Sequence, residues 1–156
     1  MSNEDFYDND LENIDDQVCD DVANDDFEVV LSRRAPKGDV FIQVFARTRH
    51  WIRAAVRPEE IIREDKDDMV FSFVKRMKDP AFNPEDGVRY IKFRCTVALS
   101  ELEIEMSFTH VELFYQDVNG DLGIGTPLSE NAKECSEVKS AFEKVIINLA
   151  NYLSKP

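Results

Sequence analysis

The chain has 156 residues, the size of one domain, and carries 19 Lys and Arg against 32 Asp and Glu, a formal net charge of −13. Hydrophobic residues make up 43% of it, and 5 Gly and 6 Pro exclude collagen-like and low-complexity classes. No apolar run approaches the roughly 20 residues of a membrane-spanning helix, and the N-terminus lacks a secretory pattern. We therefore expect a soluble protein with no membrane partner.

Charge is distributed unevenly along the chain. Residues 1–27 hold 11 acids and no base, residues 33–94 hold 15 bases against 10 acids, and residues 95–156 hold 4 bases against 10 acids. Because a self-repelling segment buries little, we predict a disordered acidic tail over 1–26 and a single α+β domain over 27–156.

Apolar residues are interleaved with the carboxylates of the tail, a pattern typical of segments that dock on a basic partner. The predicted partner is therefore a protein with a basic surface, and the alternative is a solubilising tail without a partner. The candidate docking residues are Asp5, Phe6, Tyr7, Asp8, Asp15 and Asp16.

The cysteines Cys19, Cys95 and Cys135 are odd in number and far apart, and none belongs to a CxxC or paired zinc spacing. This usage predicts a reducing, intracellular location, most simply the cytoplasm. Cys95 and Cys135 are then expected to be small core residues.

Alternating hydrophobicity predicts three strands in the first part of the domain. Phe27–Arg34 is the first, and segments 39–47 and 51–57 form a hairpin with a loop at 48–50. One face of this hairpin is aliphatic and predicted to be core. On the opposite face, aromatic rings alternate with arginines.

Flat rings and cations on one face are what single-stranded nucleic acid requires, because bases stack on the rings and phosphates meet the cations. We predict that this ribbon binds single-stranded nucleic acid or another polyanion, and that the acidic tail competes for it. The alternative is a second core face with snorkelling arginines. The candidate binding residues are Phe41, Phe45, Arg47, Arg49, Trp51, Arg53, Arg57, Arg33 and Arg34.

Further along, the apolar residues Val70, Phe73, Val74 and Met77 predict a short middle helix over about 67–78. Val88–Leu99 and Leu102–Asp117 then form a second hairpin with Val97 opposite Leu102. A phase shift in the second strand predicts a β-bulge near Thr109 or His110.

Asn119-Gly120 predicts a tight turn into a short strand at Leu122–Gly125. Thr126 and Pro127 are then expected to begin a C-terminal amphipathic helix. Its apolar stripe comprises Cys135, Val138, Phe142, Val145, Leu149 and Tyr152. We predict an α+β fold with a mainly antiparallel sheet of about six strands. The alternative is that this sheet closes partly into a barrel.

Catalytic signatures are absent from the sequence: neither histidine, His50 or His110, lies in a known motif. Residues 117–121 resemble the start of a calcium loop, but the glycine is misplaced. Glu101, Glu103 and Glu105 near His110 are a conceivable metal site, but a solvated face fits better.

We therefore expect a binding protein rather than an enzyme, without cofactor or metal. The alternative to nucleic-acid binding is an acidic inhibitor or immunity-type protein that binds a basic site on a target protein.

Overall fold

The computed structural model describes residues 27–36 and 41–155. The predicted acidic tail, with its candidate docking residues, lies outside the described residues. Two single-turn 3₁₀ helices occur at Pro58–Glu60 and Pro84–Asp86. The main elements in chain order are β1 (Val29–Arg34), α1 (Phe41–Ala55), β2 (Ile61–Asp65), β3 (Val70–Lys78), β4 (Val88–Leu99), β5 (Glu103–Gln116), β6 (Thr126–Pro127) and α2 (Cys135–Leu153).

The strands form one antiparallel sheet in the order β1-β5-β4-β3-β2, and β6 pairs with β5 further along the same edge as β1. β2 and β1 lie at opposite ends of this order and do not pair, so the sheet is open. The predicted α+β fold, with a mainly antiparallel six-stranded sheet and a C-terminal helix, is confirmed. The partly closed barrel is wrong.

The core lies between the two helices and one side of the sheet, here named the covered face. Alternate residues of β4, from Ile91 to Leu99, point into it and are buried. The Phe142 ring of α2 stacks on Phe108 at a centroid distance of 4.1 Å and meets Phe93 edge-on at 5.0 Å. The opposite side of the sheet is named the open face.

The hairpin predicted over 39–57 is wrong, because Phe41–Ala55 forms helix α1. Its buried residues Val44, Thr48 and Ile52 recur every four positions, which places them on one side of a helix. Apolar residues at every second position satisfied the strand pattern equally well. The predicted loop 48–50 contains no residue that favours a turn.

The middle helix predicted over 67–78 is also wrong, since Val70–Lys78 forms strand β3. Phe71 and Phe73 point into the core. Phenylalanine and valine both favour strands, and this segment also contains Val70 and Val74. The apolar spacing fitted a helix, but pairing with β4 along its whole length decides the structure.

The second hairpin has the predicted core face but a different register. Leu99 lies opposite Ile104 and Val97 opposite Met106, rather than opposite Leu102. The turn lies later because the Ser100 Oγ accepts the Glu103 backbone N–H at 3.1 Å. Since the shift is an even number of residues, the same side chains still face the core.

The predicted bulge is confirmed within β5. The pairing with β4 shifts between Lys92 and Arg94, and His110 adopts a φ of 54° there. This left-handed conformation lets Val111 and Leu113 return to the covered face, where both are buried.

Helix α2 begins at Cys135 rather than at Thr126, because Thr126–Pro127 forms β6 against β5. The segment predicted as a strand at Leu122–Gly125 makes a single bridge, from Leu122 to Gln116. The predicted apolar stripe does face the core, with Val138, Phe142 and Leu149 fully buried. Within the described part of the chain, neither helix is long and apolar enough to cross a bilayer.

Candidate functional site

Two of the three aromatic residues predicted to bind nucleic acid, Phe45 and Trp51, make contacts within the fold. Phe45 is 4% exposed and its ring stacks on Phe71 at 4.5 Å. Trp51 is half-buried, and its indole N–H donates to the Asn148 Oδ1 at 2.8 Å, which joins α1 to α2. Phe41 is the first residue of α1, and its side chain lies outside the described atoms.

Two of the predicted arginines make structural contacts. Arg47 donates to the backbone carbonyls of Tyr152, Leu153 and Lys155 at 2.8, 3.0 and 2.7 Å, which satisfies the C-terminal end of α2. Arg53 donates two hydrogen bonds to the Glu64 carboxylate, at 3.0 and 2.8 Å. Both guanidinium groups therefore connect elements of the fold.

The remaining predicted arginines are scattered. Arg57 pairs with Glu60, whose hydrogen bond and charge raise the pKa of the guanidinium above its ordinary value. Arg33 donates to the neighbouring Ser32 carbonyl at 2.9 Å, whereas Arg34 on β1 and Arg49 on α1 are exposed. Residues two apart on a helix point in nearly opposite directions, so the structure does not bring the predicted ribbon residues onto one face.

The open face of the sheet instead carries four cations on its two adjacent strands β3 and β4. They alternate with core residues, so their side chains share one side of the sheet. Within the described ranges, none of the four forms an ion pair. We name this group the open-face cluster: Arg76, Lys78, Lys92 and Arg94.

Register places two of these cations directly against each other. Arg76 lies opposite Lys92, and like charges at such positions destabilise a sheet. On the other side of Lys92, Glu112 of β5 lies opposite it without forming an ion pair among the described residues. The open-face cluster is therefore an excess of positive charge that a bound anion would relieve.

Two aromatic rings lie beside the cluster. The Arg76 guanidinium carbon is 5.0 Å from the Tyr90 ring centroid and 6.0 Å from that of Phe114. Gly125 lies against the Phe114 ring so closely that a Cβ added there would fall 2.4 Å from the Phe114 Cζ. The rings hold Arg76 in position, so this face offers fixed cations more than free stacking surfaces.

A shallow groove of about 270 Å³ continues from the cluster toward β5. Lys92 and Arg94 line one side of it, and His110 and Glu112 line the other. The His110 Nδ1 lies 3.0 Å from the Thr109 Oγ1 beside the bulge. The bulge thus displays a histidine next to the cations.

The sequence does not predict the open-face cluster, because its apolar spacing predicts a helix where the structure has strand β3. The signal was present as two basic residues at alternate positions in each strand, Arg76 with Lys78 and Lys92 with Arg94. In a helix, the side chains of Arg76 and Lys78 would point in nearly opposite directions. In adjacent strands, the side chains of both pairs lie on the same face of the sheet.

The conceivable metal positions do not converge. Among the described residues, no group of three His, Cys, Asp or Glu side chains is arranged to hold a metal ion. In the loop 117–121, the Asp117 Oδ1 accepts the backbone N–H groups of Asn119 and Asp121, both at 2.9 Å. That carboxylate closes a turn, as expected for a hairpin connection.

No known family model matches the sequence, and no curated protein matches it at a significant level. Two solved structures are similar in fold. One is a TBP-like protein from Parabacteroides distasonis, with a TM-score of 0.63 and 9% identity over 82% of this chain and 94% of that one. The other is a DUF4468 family protein from Bacteroides ovatus, with a TM-score of 0.57 and 9% identity over 83% of this chain and 86% of that one. At this identity the likeness shows the fold alone.

Proposed function

We propose that this chain is a non-enzymatic binding protein that holds single-stranded nucleic acid on the open face of its sheet, through the open-face cluster. The observation that carries the proposal is Arg76 directly opposite Lys92, with no ion pair to either among the described residues. Phosphates of a bound strand would neutralise this repulsion.

The spacing of the open-face cluster suits a chain of phosphates. Alternate residues of one strand lie about 7 Å apart, and opposed residues lie about 5 Å apart. Lys78, the Arg76–Lys92 pair and Arg94 therefore form a row of positive charge across two strands. Tyr90, half-buried beside this row, is the ring placed to contact a base.

The acidic N-terminal segment enters the proposal as an internal competitor. It carries 11 carboxylates and is tethered to the domain that bears the cluster. Tethering gives such a segment a local concentration on the order of millimolar, so it would compete with phosphates for the cations. Removing residues 1–26 should then strengthen binding.

The test is fluorescence anisotropy of a labelled oligothymidylate of about 12 nucleotides, titrated at salt concentrations between about 50 and 200 mM. The affinity should fall with salt, and the chain lacking residues 1–26 should bind more tightly. In Lys92→Gln/Arg94→Gln, the slope of log affinity against log salt should decrease by about 1.4, at about 0.7 per lost phosphate contact.

The matched control is Arg49→Gln/Lys139→Gln, which removes two exposed helical cations away from the open face. It should bind like the unmodified chain. Equal loss in both double variants, or no binding with and without residues 1–26, would contradict the proposal.

A second candidate is the acidic inhibitor, which binds a basic site on a target protein. It is favoured by the turn between β4 and β5, where Leu102 is 81% exposed between Glu101 and Glu103, both exposed. An apolar side chain flanked by acids suits a basic surface. Capture of a host protein that is lost in Leu102→Ser, but retained in Lys92→Gln/Arg94→Gln, would favour this function over nucleic-acid binding.

A reducing compartment, most simply the cytoplasm, belongs to the same proposal. Cys95 is fully buried and Cys135 is half-buried, and both are free thiols. Burial raises the pKa of each thiol, which lowers its reactivity. Such cysteines are compatible with core packing in a cell interior.

A further inference from the structure

An apolar pocket of about 300 Å³ opens on the helix side of the molecule, between α1, α2 and the edge of β3. Trp51 of α1 forms one wall and Val145 of α2 another, while Phe73 and Met77 of β3 line its base. The Trp51–Asn148 hydrogen bond fixes the indole across the two helices. The lining is therefore mostly apolar and held in place.

Charge at this pocket has one sign. Three of the lining residues are lysines, Lys75, Lys78 and Lys144, and the described lining includes no aspartate or glutamate. Lys75 donates to the Ala55 carbonyl at 2.7 Å, which holds its ammonium group at the end of α1 with two further protons to donate. Within the described residues, none of the three lysines forms an ion pair.

From these observations we infer that the pocket between Trp51 and Lys144 binds a small apolar carboxylate, of the medium-chain fatty acid class. The hydrocarbon would lie against Trp51, Phe73 and Val145, and the carboxylate would meet Lys75 and Lys144 at the rim. The volume is at the lower end for ligand pockets, which favours a short chain over a long one. This site shares Lys78 with the open-face cluster, but the lysines that would meet the carboxylate, Lys75 and Lys144, lie outside that cluster, so the inference does not rest on the proposed function.

Trp51 is the single tryptophan of the chain, so its emission reports on this pocket. The experiment titrates the full chain with decanoate, octanoate and hexanoate and follows tryptophan fluorescence. We expect a saturable change, with affinity falling roughly fourfold for each methylene removed. Decylammonium, with the same chain and opposite charge, should bind at least about fivefold more weakly than decanoate.

Two variants locate the ligand. Lys144→Glu should weaken decanoate at least about fivefold, whereas Lys139→Glu, a control on the same helix outside the lining, should leave it unchanged. Ala55→Phe should block binding by filling the mouth, and it is expected to fold because Ala55 is exposed.

Three results would overturn the inference. They are the absence of a saturable change with decanoate, equal binding of decylammonium, and decanoate binding that survives both Lys144→Glu and Ala55→Phe. Loss of oligonucleotide binding in Lys92→Gln/Arg94→Gln would leave this result unaffected.

Discussion

Arginines on the two faces of the sheet differ in whether their charge is paired with carboxylates. On the covered face, Arg89 is 4% exposed and donates to the carboxylates of Asp79 and Glu137. On the open face, Arg76 lies against Lys92, without an ion pair in the described part of the chain. The charge of Arg89 is neutralised within the fold, whereas the charges of the open-face cluster remain available to a ligand.

This difference separates arginines that maintain the fold from those available for binding. A buried cation must be paired, because its desolvation is otherwise too costly. An exposed cation has no such requirement, because water solvates it, and it remains available to bind an anion. The contrast is physical: it depends on burial and on the charges nearby.

The largest expected effect on stability is at Arg89, which is buried on the covered face. Arg89→Met should lower the free energy of unfolding by about 3–5 kcal/mol, because it leaves Asp79 buried without its partner. Denaturant titration measures this. Arg63→Met, which removes an exposed pairing with Asp65 and Asp68, should cost about 0–1 kcal/mol. Equal losses in the two variants would contradict the account of the covered face.

An intermediate effect is expected where Arg47 satisfies the end of α2. Arg47→Gln removes charged hydrogen bonds to the carbonyls of Tyr152, Leu153 and Lys155 and should cost about 1.5–3 kcal/mol. Oligonucleotide affinity should not change, although Arg47 was predicted from sequence to bind nucleic acid. A thermal or chemical melt together with an anisotropy titration checks both parts; lost affinity with unchanged stability would restore the sequence prediction.

The sequence predicts an element correctly where its apolar residues fit only one period, either every second residue for a strand or about 3.6 residues for a helix. In β4, strict alternation from Ile91 to Leu99 admits only a strand, and the α2 stripe from Val138 to Leu149 admits only a helix. In α1 and β3 the apolar residues satisfied both periods. Tertiary contact decided there, because Phe45 and Phe71 stack on each other from the two misassigned elements.

The candidate site could not be predicted for a related reason. The side chains that share a surface of two strands can be predicted only when the pairing register of the strands is known. Predicting a helix in place of a strand also changes the predicted neighbours of every residue in that segment. The sequence correctly indicated a basic first half rich in arginine. It placed the binding surface on 41–57 together with Arg33 and Arg34. The open-face cluster instead comprises Arg76, Lys78, Lys92 and Arg94, which form no ion pair with any described residue.

The smallest effect on stability, and the most direct test, belongs to the open-face cluster. Lys92→Gln/Arg94→Gln is measured for both its unfolding free energy and its affinity for the labelled oligothymidylate, alongside Arg47→Gln. We predict that the double variant unfolds within about 0.5 kcal/mol of the unmodified chain but binds more weakly, whereas Arg47→Gln shows the reverse. A double variant that loses stability and keeps its affinity would contradict the assignment of binding to the open face.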